Sequence, residues 1–299
     1  MRKKTETGIS MGEDSSFEII EEDIDEESKI KELERKLKET EDKLNELNRS
    51  LEQRVIERTV EVNRLLKHKI RFIDNLSHDL ATPLVPLVSL LPVIKEDVKN
   101  PETKKLVDTC IRNVEYIKRV INNARELADI SSTDLILRKE NLYEIINELE
   151  EKYRIVFKSY NIKVQNLIRK DVFVKTEKKR LLQLLDHLAS NAVNSMPNGG
   201  VLTFESKIVK KETGSFVQIS VTDTGVGLTR EESDHLFDEF YKTDESRHKL
   251  DSTGLGLAIC KAIVEKHGGK IWADSHGKGK GASIHFTLPS QNIIYSRSF

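Results

Sequence analysis

Apolar residues first fall into a regular pattern at Ile30, and Leu33, Leu37, Leu44, Leu47 and Leu51 continue it at heptad spacing, with Thr40 filling one place and Glu, Lys or Arg between. That pattern predicts a coiled-coil seam, most simply a parallel dimer. A single solvated charged helix is the plainer alternative. After Leu51 the seam advances to Val55 and then Val62, a stutter that relaxes the supercoil. Apolar positions carry on through Leu66 and Ile70 into a second stripe of Ile73, Leu76, Leu80, Leu84, Leu87, Leu91, Ile94 and Val98. Asn100-Pro101 breaks it, and Val107, Cys110, Val114, Ile117, Ile121, Ala124 and Ala128 form a third. Helix, short loop and matching helix predict a helical hairpin. Stripes this wide are not buried by one hairpin, so pairing of two copies into a four-helix bundle, hence a homodimer, is expected. Pro83, Pro86 and Pro92 each remove an amide donor from the first hairpin helix and predict kinks there.

Beyond Ser131-Ser132-Thr133-Asp134 the texture becomes mixed. Residues 142–160 read as a helix, 172–174 as a short strand, and 178–194 as an amphipathic helix carrying Leu181, Leu182, Leu185 and Leu188. Residues 201–209 and 216–221 alternate as strands around the polar turn at 210–214. A glycine-opened helix follows at 254–267, then strands at 270–274 and 282–288. Helices segregated from hairpin strands predict an α+β sandwich.

The fold class expected is therefore multidomain: an N-terminal coiled coil and an all-α helical hairpin, followed by an α+β sandwich domain. Residues 1–28 are acidic and poor in apolar residues, and read as a disordered tail. The boundaries then run 29–66 for the coiled coil, 67–135 for the hairpin, 136–290 for the sandwich and 291–299 for a C-terminal tail. A formal net charge of −1 gives no clustered basic surface, so nucleic acid is not an expected partner. No uninterrupted run approaches the ~18 apolar residues of a membrane span, and the start shows no signal-peptide segment. The only cysteines, Cys110 and Cys260, lie far apart on helical segments, which fits a reducing cytoplasm rather than a disulfide framework or zinc site.

Candidate chemistry begins at His78, two residues from stripe positions on either side and therefore expected to face water. Asp79 is adjacent, and the Thr82 hydroxyl lies one turn on, where an i,i+4 neighbour meets it. An exposed imidazole beside an acid suits covalent catalysis: one ring nitrogen attacks while the acid holds or removes the proton on the other. Three clusters in the sandwich domain add a nucleotide site. Asn191 precedes Pro197-Asn198-Gly199-Gly200, and its amide oxygen can ligate a hard cation such as Mg²⁺. Asp223-Thr224-Gly225-Val226-Gly227 follows a strand, where the carboxylate can accept from an exocyclic amine while glycines admit a close ligand. Thr253-Gly254-Leu255-Gly256-Leu257 opens a helix and presents free amides to phosphate.

In this order the motifs resemble those of sensor histidine kinases of two-component systems, over residues 64–289. Residues 77–84 are similar to the family's phosphoacceptor box, 187–191 to its Asn box, 223–227 and 253–256 to its glycine boxes, and 236–241 to its Phe box. The resemblance implies a dimerisation and histidine phosphotransfer hairpin and a Bergerat-type ATP-binding domain. It also implies ATP and Mg²⁺ as cofactors, a response regulator receiver domain as partner, and a catalytic set of His78, Asp79 and Thr82. Nucleotide contacts would come from His187, Asn191, Asn194, Asp223, Gly225, Gly227, Phe240, Tyr241, Lys242, Thr253, Gly254, Leu255, Gly256 and Leu257, with Asn191 as metal ligand. An upstream sensory protein is a further candidate partner, since no sensory fold precedes the coiled coil in this sequence.

Departures from the family pattern are local. His187 stands where the first Asn of its box is usual, and either hydrogen-bonds a phosphate or is a helix-surface histidine. Ala81 removes a positive charge beside His78, and Asp251-Ser252 precedes the second glycine box. Lys242, Arg247, His248 and Lys249 lie in the expected lid and either contact the triphosphate or form a solvated loop. These departures keep alive a rival function, a catalytically degenerate scaffold that binds ATP as a conformational switch; a second rival, a Bergerat-type ATPase that hydrolyses ATP to move protein segments, leaves the exposed His78-Asp79 helix and its hairpin without a purpose.

Overall fold

The computed structural model describes residues 14–211, 214–242 and 252–291, with side chains described from residue 29. Packing divides the chain into two units, Met1–Leu66 and Lys67–Phe299. Helix α1 runs Asp14–Asp97. It therefore takes in residues 14–28, which composition assigned to a disordered tail. The acids that prevent a packed core there do not oppose a helix, because no Gly or Pro interrupts them and carboxylates favour a helix N-terminus. In the first unit Ile30, Leu33, Leu37, Leu44, Leu47 and Leu51 are all exposed, so the heptad seam has no cover within the unit. The helix surface is laced by i,i+3 and i,i+4 pairs, with Arg35 reaching both Glu32 and Glu39.

The second unit opens with the remainder of α1 and turns into α2 (Pro101–Ser132). Asn100 caps α2 by accepting from the Glu102 amide at 2.8 Å, and Pro101 supplies a pre-set first turn. Lys95–Asp108 at 2.6 Å ties the helices beside the turn, and Arg125 approaches Asp74 at 4.0 Å toward the other end. The helix assignment continues without a break through Pro83, Pro86 and Pro92, where kinks were expected. Along α1 the covered or half-covered face passes through Ile70, Ile73, Ser77, Leu84, Val88 and Leu91. Leu76, Leu80, Leu87 and Ile94 stay exposed. The third stripe splits likewise: Val114, Ile121 and Ala128 are buried, while Cys110 and Ile117 face outward. One 18-residue window of α1 within residues 29–97 is long and apolar enough, by length and composition, to cross a membrane, with mean hydropathy 1.3. Counting uninterrupted apolar residues overlooked that window, because polar residues and prolines punctuate its leucines.

The rest of the unit is the α+β sandwich. Its strands and helices are β1 (Arg138–Asn141), α3 (Leu142–Ser159), β2 (Ile162–Asn166), β3 (Phe173–Thr176), α4 (Lys178–Ser195), β4 (Gly200–Lys211), β5 (Gly214–Asp223), α5 (Arg230–His235), α6 (Gly256–Lys266), β6 (Ile271–Asp274) and β7 (Ala282–Pro289). One sheet has the order β2-β4-β5-β7-β6, parallel only between β2 and β4, and β1 pairs with β3 in a second, two-stranded sheet. Burial alternates along β5 and β7: Val217, Ile219, Val221, Ile284, Phe286 and Leu288 point inward, whereas Ser220, Thr222, Ser283 and His285 form the polar outer face. The inner face meets Leu142, Ile145, Ile146 and Leu149 of α3, the leucines of α4, and Ile259, Cys260, Ile263 and Val264 of α6. Each fully buried Leu or Ile contributes roughly 1.5–3 kcal/mol, so this cluster, not local propensity, fixes the three helices. Burial also pushes the Cys260 thiol far up, leaving it a packing residue. Of the C-terminal tail, Gln291 is described and joins the fold, its amide donating to the Phe173 carbonyl at 3.1 Å.

Candidate functional site

His78 stands on α1 with 84% of its side chain exposed, and its Nδ1 is 3.5 Å from Asp79 Oδ1. Its neighbour Ser77 takes the covered position, which turns His78 about 100° away from α2. The Thr82 hydroxyl donates to the His78 carbonyl at 3.0 Å, so it contacts the backbone of that residue and not the ring. A β-hydroxyl one turn on has that carbonyl within reach, the usual competitor for a helical Thr.

The sandwich domain builds the second half. At the end of β5 the Asp223 carboxylate accepts from the Ser195 hydroxyl at 3.1 Å and from the Gly225 amide at 2.8 Å. Burial pushes its carboxyl above the usual range, partly opposed by those two donors and by the Ala282 amide. Gly225 is required here: a Cβ would lie 2.6 Å from Ser195 Oγ and 2.7 Å from Asp223 Oδ1, and would also strike the Ser195 carbonyl. The loop is held further by Val226 N to Ser195 O at 3.1 Å and Gly281 N to Gly225 O at 3.1 Å.

The other end of the site is the start of α6. Gly254 has φ +72°, and a Cβ there would lie 2.7 Å from the Phe240 carbonyl carbon. The Phe240 amide donates to Gly254 O at 2.9 Å, while Phe240 itself is exposed at φ +62°. Thr253 is buried, and its Oγ1 accepts from the Leu255 amide at 3.3 Å. Leu255 is fully buried and Leu257 packs on the core, so these two offer backbone and not side chains to a ligand.

Helix α4 joins the two ends. His187, Asn191 and Asn194 share one face by their spacing, and both asparagines are exposed. Ser195 meets Asp223, whereas the His187 ring lies against Gly256, where a Cβ would be 3.2 Å from Nδ1. The eight-residue step from His187 to Ser195 spans about 12 Å of helix. Among the described residues no group of three His, Cys, Asp or Glu side chains could hold a metal. Asn191, exposed on this face of α4, carries an amide oxygen of the kind that can complete the shell of a hard cation beside oxygens of a ligand.

Two expected residues are engaged elsewhere. Lys242 donates to the Tyr116 hydroxyl at 3.4 Å and lies 5.0 Å from that ring's centre, so this cation rests on α2. Tyr241 packs on His235, ring centres 5.8 Å apart. Arg247, His248, Lys249 and Asp251 lie outside the described residues. The spacing arguments missed the contribution of α2 entirely. Asn123 Nδ2 donates to Thr253 Oγ1 at 2.7 Å, His187 Nε2 is 3.4 Å from Glu126 Oε2, and the buried Arg180 donates to Asp129 at 2.7 Å. Their signal was available as polar residues at three-residue steps, Asn123, Glu126 and Asp129, beside the apolar stripe.

Comparison with known proteins matches two families: "His Kinase A (phospho-acceptor) domain" over residues 68–133, and "Histidine kinase-, DNA gyrase B-, and HSP90-like ATPase" over residues 176–292. Sensor histidine kinase WalK of Bacillus subtilis (strain 168) is 32% identical over 240 residues, covering 79% of this chain and 39% of that protein. Sensor protein kinase WalK of Staphylococcus aureus is 28% identical over 244 residues, covering 80% of this chain and 58% of that one. The chain thus spans between about two fifths and three fifths of these relatives. Full-length ShkA in complex with AMPPNP shares the fold at TM-score 0.56 and 22% identity, over 74% of this chain and 46% of that one. ThkA in complex with the response regulator TrrA does so at TM-score 0.55 and 21% identity, over 78% and 66%.

Proposed function

The chain belongs to the two-component sensor histidine kinases, and from that premise we propose that it autophosphorylates His78 from ATP and passes the phosphoryl group to an aspartate of a response regulator. Asp223 accepts from the adenine amine, the backbone at Gly254 and Gly256 with the N-terminus of α6 receives the phosphates, and Asn191 with Asn194 faces them from α4. Asn191, together with phosphate oxygens, would hold a Mg²⁺ ion, which would supply charge neutralisation at the triphosphate. His78 Nε2 attacks the γ-phosphorus in line; the N–P bond forms as the bond to the ADP oxygen breaks, and Asp79 takes the proton from Nδ1. Thr82, whose hydroxyl lies on the same helical face, orients water for the opposing, phosphatase reaction, in which the water attacks the regulator's aspartyl phosphate and inorganic phosphate leaves.

The exposed Leu76, Leu80, Leu87, Ile94 and Ile117 support a homodimer, in which two hairpins bury them as a four-helix bundle. The same stripe explains the apolar window of α1 without a membrane, since the ionisable pair His78 and Asp79 interrupts its leucines, a feature rare in a span. The two free cysteines fit a reducing, cytoplasmic setting for these domains.

The observation that carries this reading is the imidazole, 84% exposed beside an acid, on the helical part of a chain that also builds the hydrogen-bonded Asp223–Gly225 turn. Incubation with γ-labelled ATP should give an acid-labile, base-stable label that His78→Gln abolishes; a labelled His78→Gln protein overturns it. The rival reading is a degenerate ATP-binding switch. It predicts tight nucleotide binding and no label on the unaltered chain.

A further inference from the structure

Two α2 side chains lie on the site side chains that flank the start of α6, Asn123 on Thr253 and Glu126 on His187. Asn123 gives its amide hydrogen to Thr253 Oγ1 at 2.7 Å, at a buried position one residue before Gly254. Glu126, one turn on, lies 3.4 Å from Nε2 of His187, the ring that packs on Gly256. The His187 hydrogen bond holds the Glu126 carboxyl below its usual range, so an anion sits beside the start of α6, where the phosphates would arrive. Like charges a few ångströms apart oppose each other strongly where water is partly excluded. Tyr116 of α2 holds a further site residue, Lys242, at 3.4 Å, whereas the ties of Asp129 to Arg180 and of the Ser131 carbonyl to Lys266 lie farther along both helices and involve no site residue.

We propose that Asn123 and Glu126 form a latch that holds the nucleotide-binding domain on α2 through Thr253 and His187, the side chains beside which the triphosphate would bind, so that docking on α2 and nucleotide binding oppose each other. This rests on the nucleotide site assigned above. It also gives the histidine at position 187 a purpose: a ring nitrogen that pairs with Glu126 in the latched state and with phosphate in the loaded one. Linkage makes the effect reciprocal, so nucleotide loosens the domain from α2 by the factor by which docking weakens nucleotide binding.

The test titrates a non-hydrolysable ATP analogue with Mg²⁺ into the full chain, the double variant Asn123→Ala with Glu126→Gln, and Asp223→Asn. The latch variant should bind roughly fivefold tighter, about what one neutral hydrogen bond and a half-exposed ion pair sustain. Glu126→Gln alone keeps a helix-favouring residue at a half-exposed position, and should give part of the gain if the double variant misfolds. Unchanged or weaker binding by both latch variants, while Asp223→Asn has lost binding, overturns the latch and leaves the site. Undiminished binding by Asp223→Asn overturns the site assignment, and the latch with it.

Discussion

Replacing Asp223 by Asn separates fold from function in opposite directions. The carboxylate is pushed toward its neutral form by burial, so its folded pKa lies above the unfolded value. Such a group binds more protons folded than unfolded: stability is greatest at low pH and falls as pH rises through the folded pKa. At neutral pH the ionised side chain therefore costs stability that a neutral amide does not. Asn keeps a carbonyl oxygen able to accept from Ser195 Oγ and Gly225 N, now at 3.1 and 2.8 Å. The unfolding midpoint of the ligand-free variant should accordingly rise. Nucleotide binding should collapse, because the amide turns an N–H toward the adenine amine. Loss of a hydrogen bond to a charged group, with a donor left facing a donor, costs about 2–4 kcal/mol, or roughly 30- to 1,000-fold in Kd. Thermal unfolding without nucleotide, paired with calorimetric titration of Mg²⁺ and the ATP analogue, reads both. A variant that melts lower, or that binds within threefold of the parent, refutes the role given to this carboxylate.

Gly225→Ala forces a Cβ to 2.6 Å from Ser195 Oγ and 2.7 Å from Asp223 Oδ1; a destabilisation of about 1–3 kcal/mol in denaturant and loss of nucleotide binding are expected. His267 is buried with Nδ1 donating to Ile263 O at 2.8 Å and Nε2 accepting from the Glu177 amide at 3.2 Å, and burial lowers its pKa. The neutral form is the folded one, so its stability contribution is intact above pH ~6.5 and lost below it, by up to roughly 1.4 kcal/mol per pH unit. Denaturation midpoints at pH 7 and 5 should diverge less in His267→Gln; an unchanged divergence counts against this histidine. Leu87→Lys combined with Ile117→Lys should yield a monomer in sedimentation, and a persisting dimer would remove the paired-hairpin arrangement.

Periodicity located the long helices of the sandwich domain, because α3, α4 and α6 each present one apolar face to one sheet. It passed over β1, whose Arg-Lys-Glu-Asn sequence is polar throughout and is a strand only through pairing with β3. It also passed over β2, although Asn161 at φ +54° ends α3 and leads straight into the apolar Ile162. Helix α5 had a readable signal in the Thr229–Glu232 capping box. In the hairpin the stripe was legible, but not its division. Leu80 and Leu84 belong to one pattern, yet the first is exposed and the second half-covered. Spacing alone does not tell a face for the chain's own neighbour from one for a second copy. The Asn, Gly and Phe boxes marked backbone and side chains contiguous in sequence. The ties from α2 join residues up to 130 positions apart, and no local rule reaches that far.

The hydrogen bond from Phe240 to Gly254 joins two left-handed residues at the base of the connection that contains residues 241–253. That hydrogen bond fixes the two ends of the connection, and between ends so fixed each doubling of chain length adds only about 0.6 kcal/mol of closure cost. Evolution can splice residues in or out there while the frame beneath stays put. Homologues should therefore differ most in length between these two positions, and an engineer seeking a place for a reporter peptide would begin there.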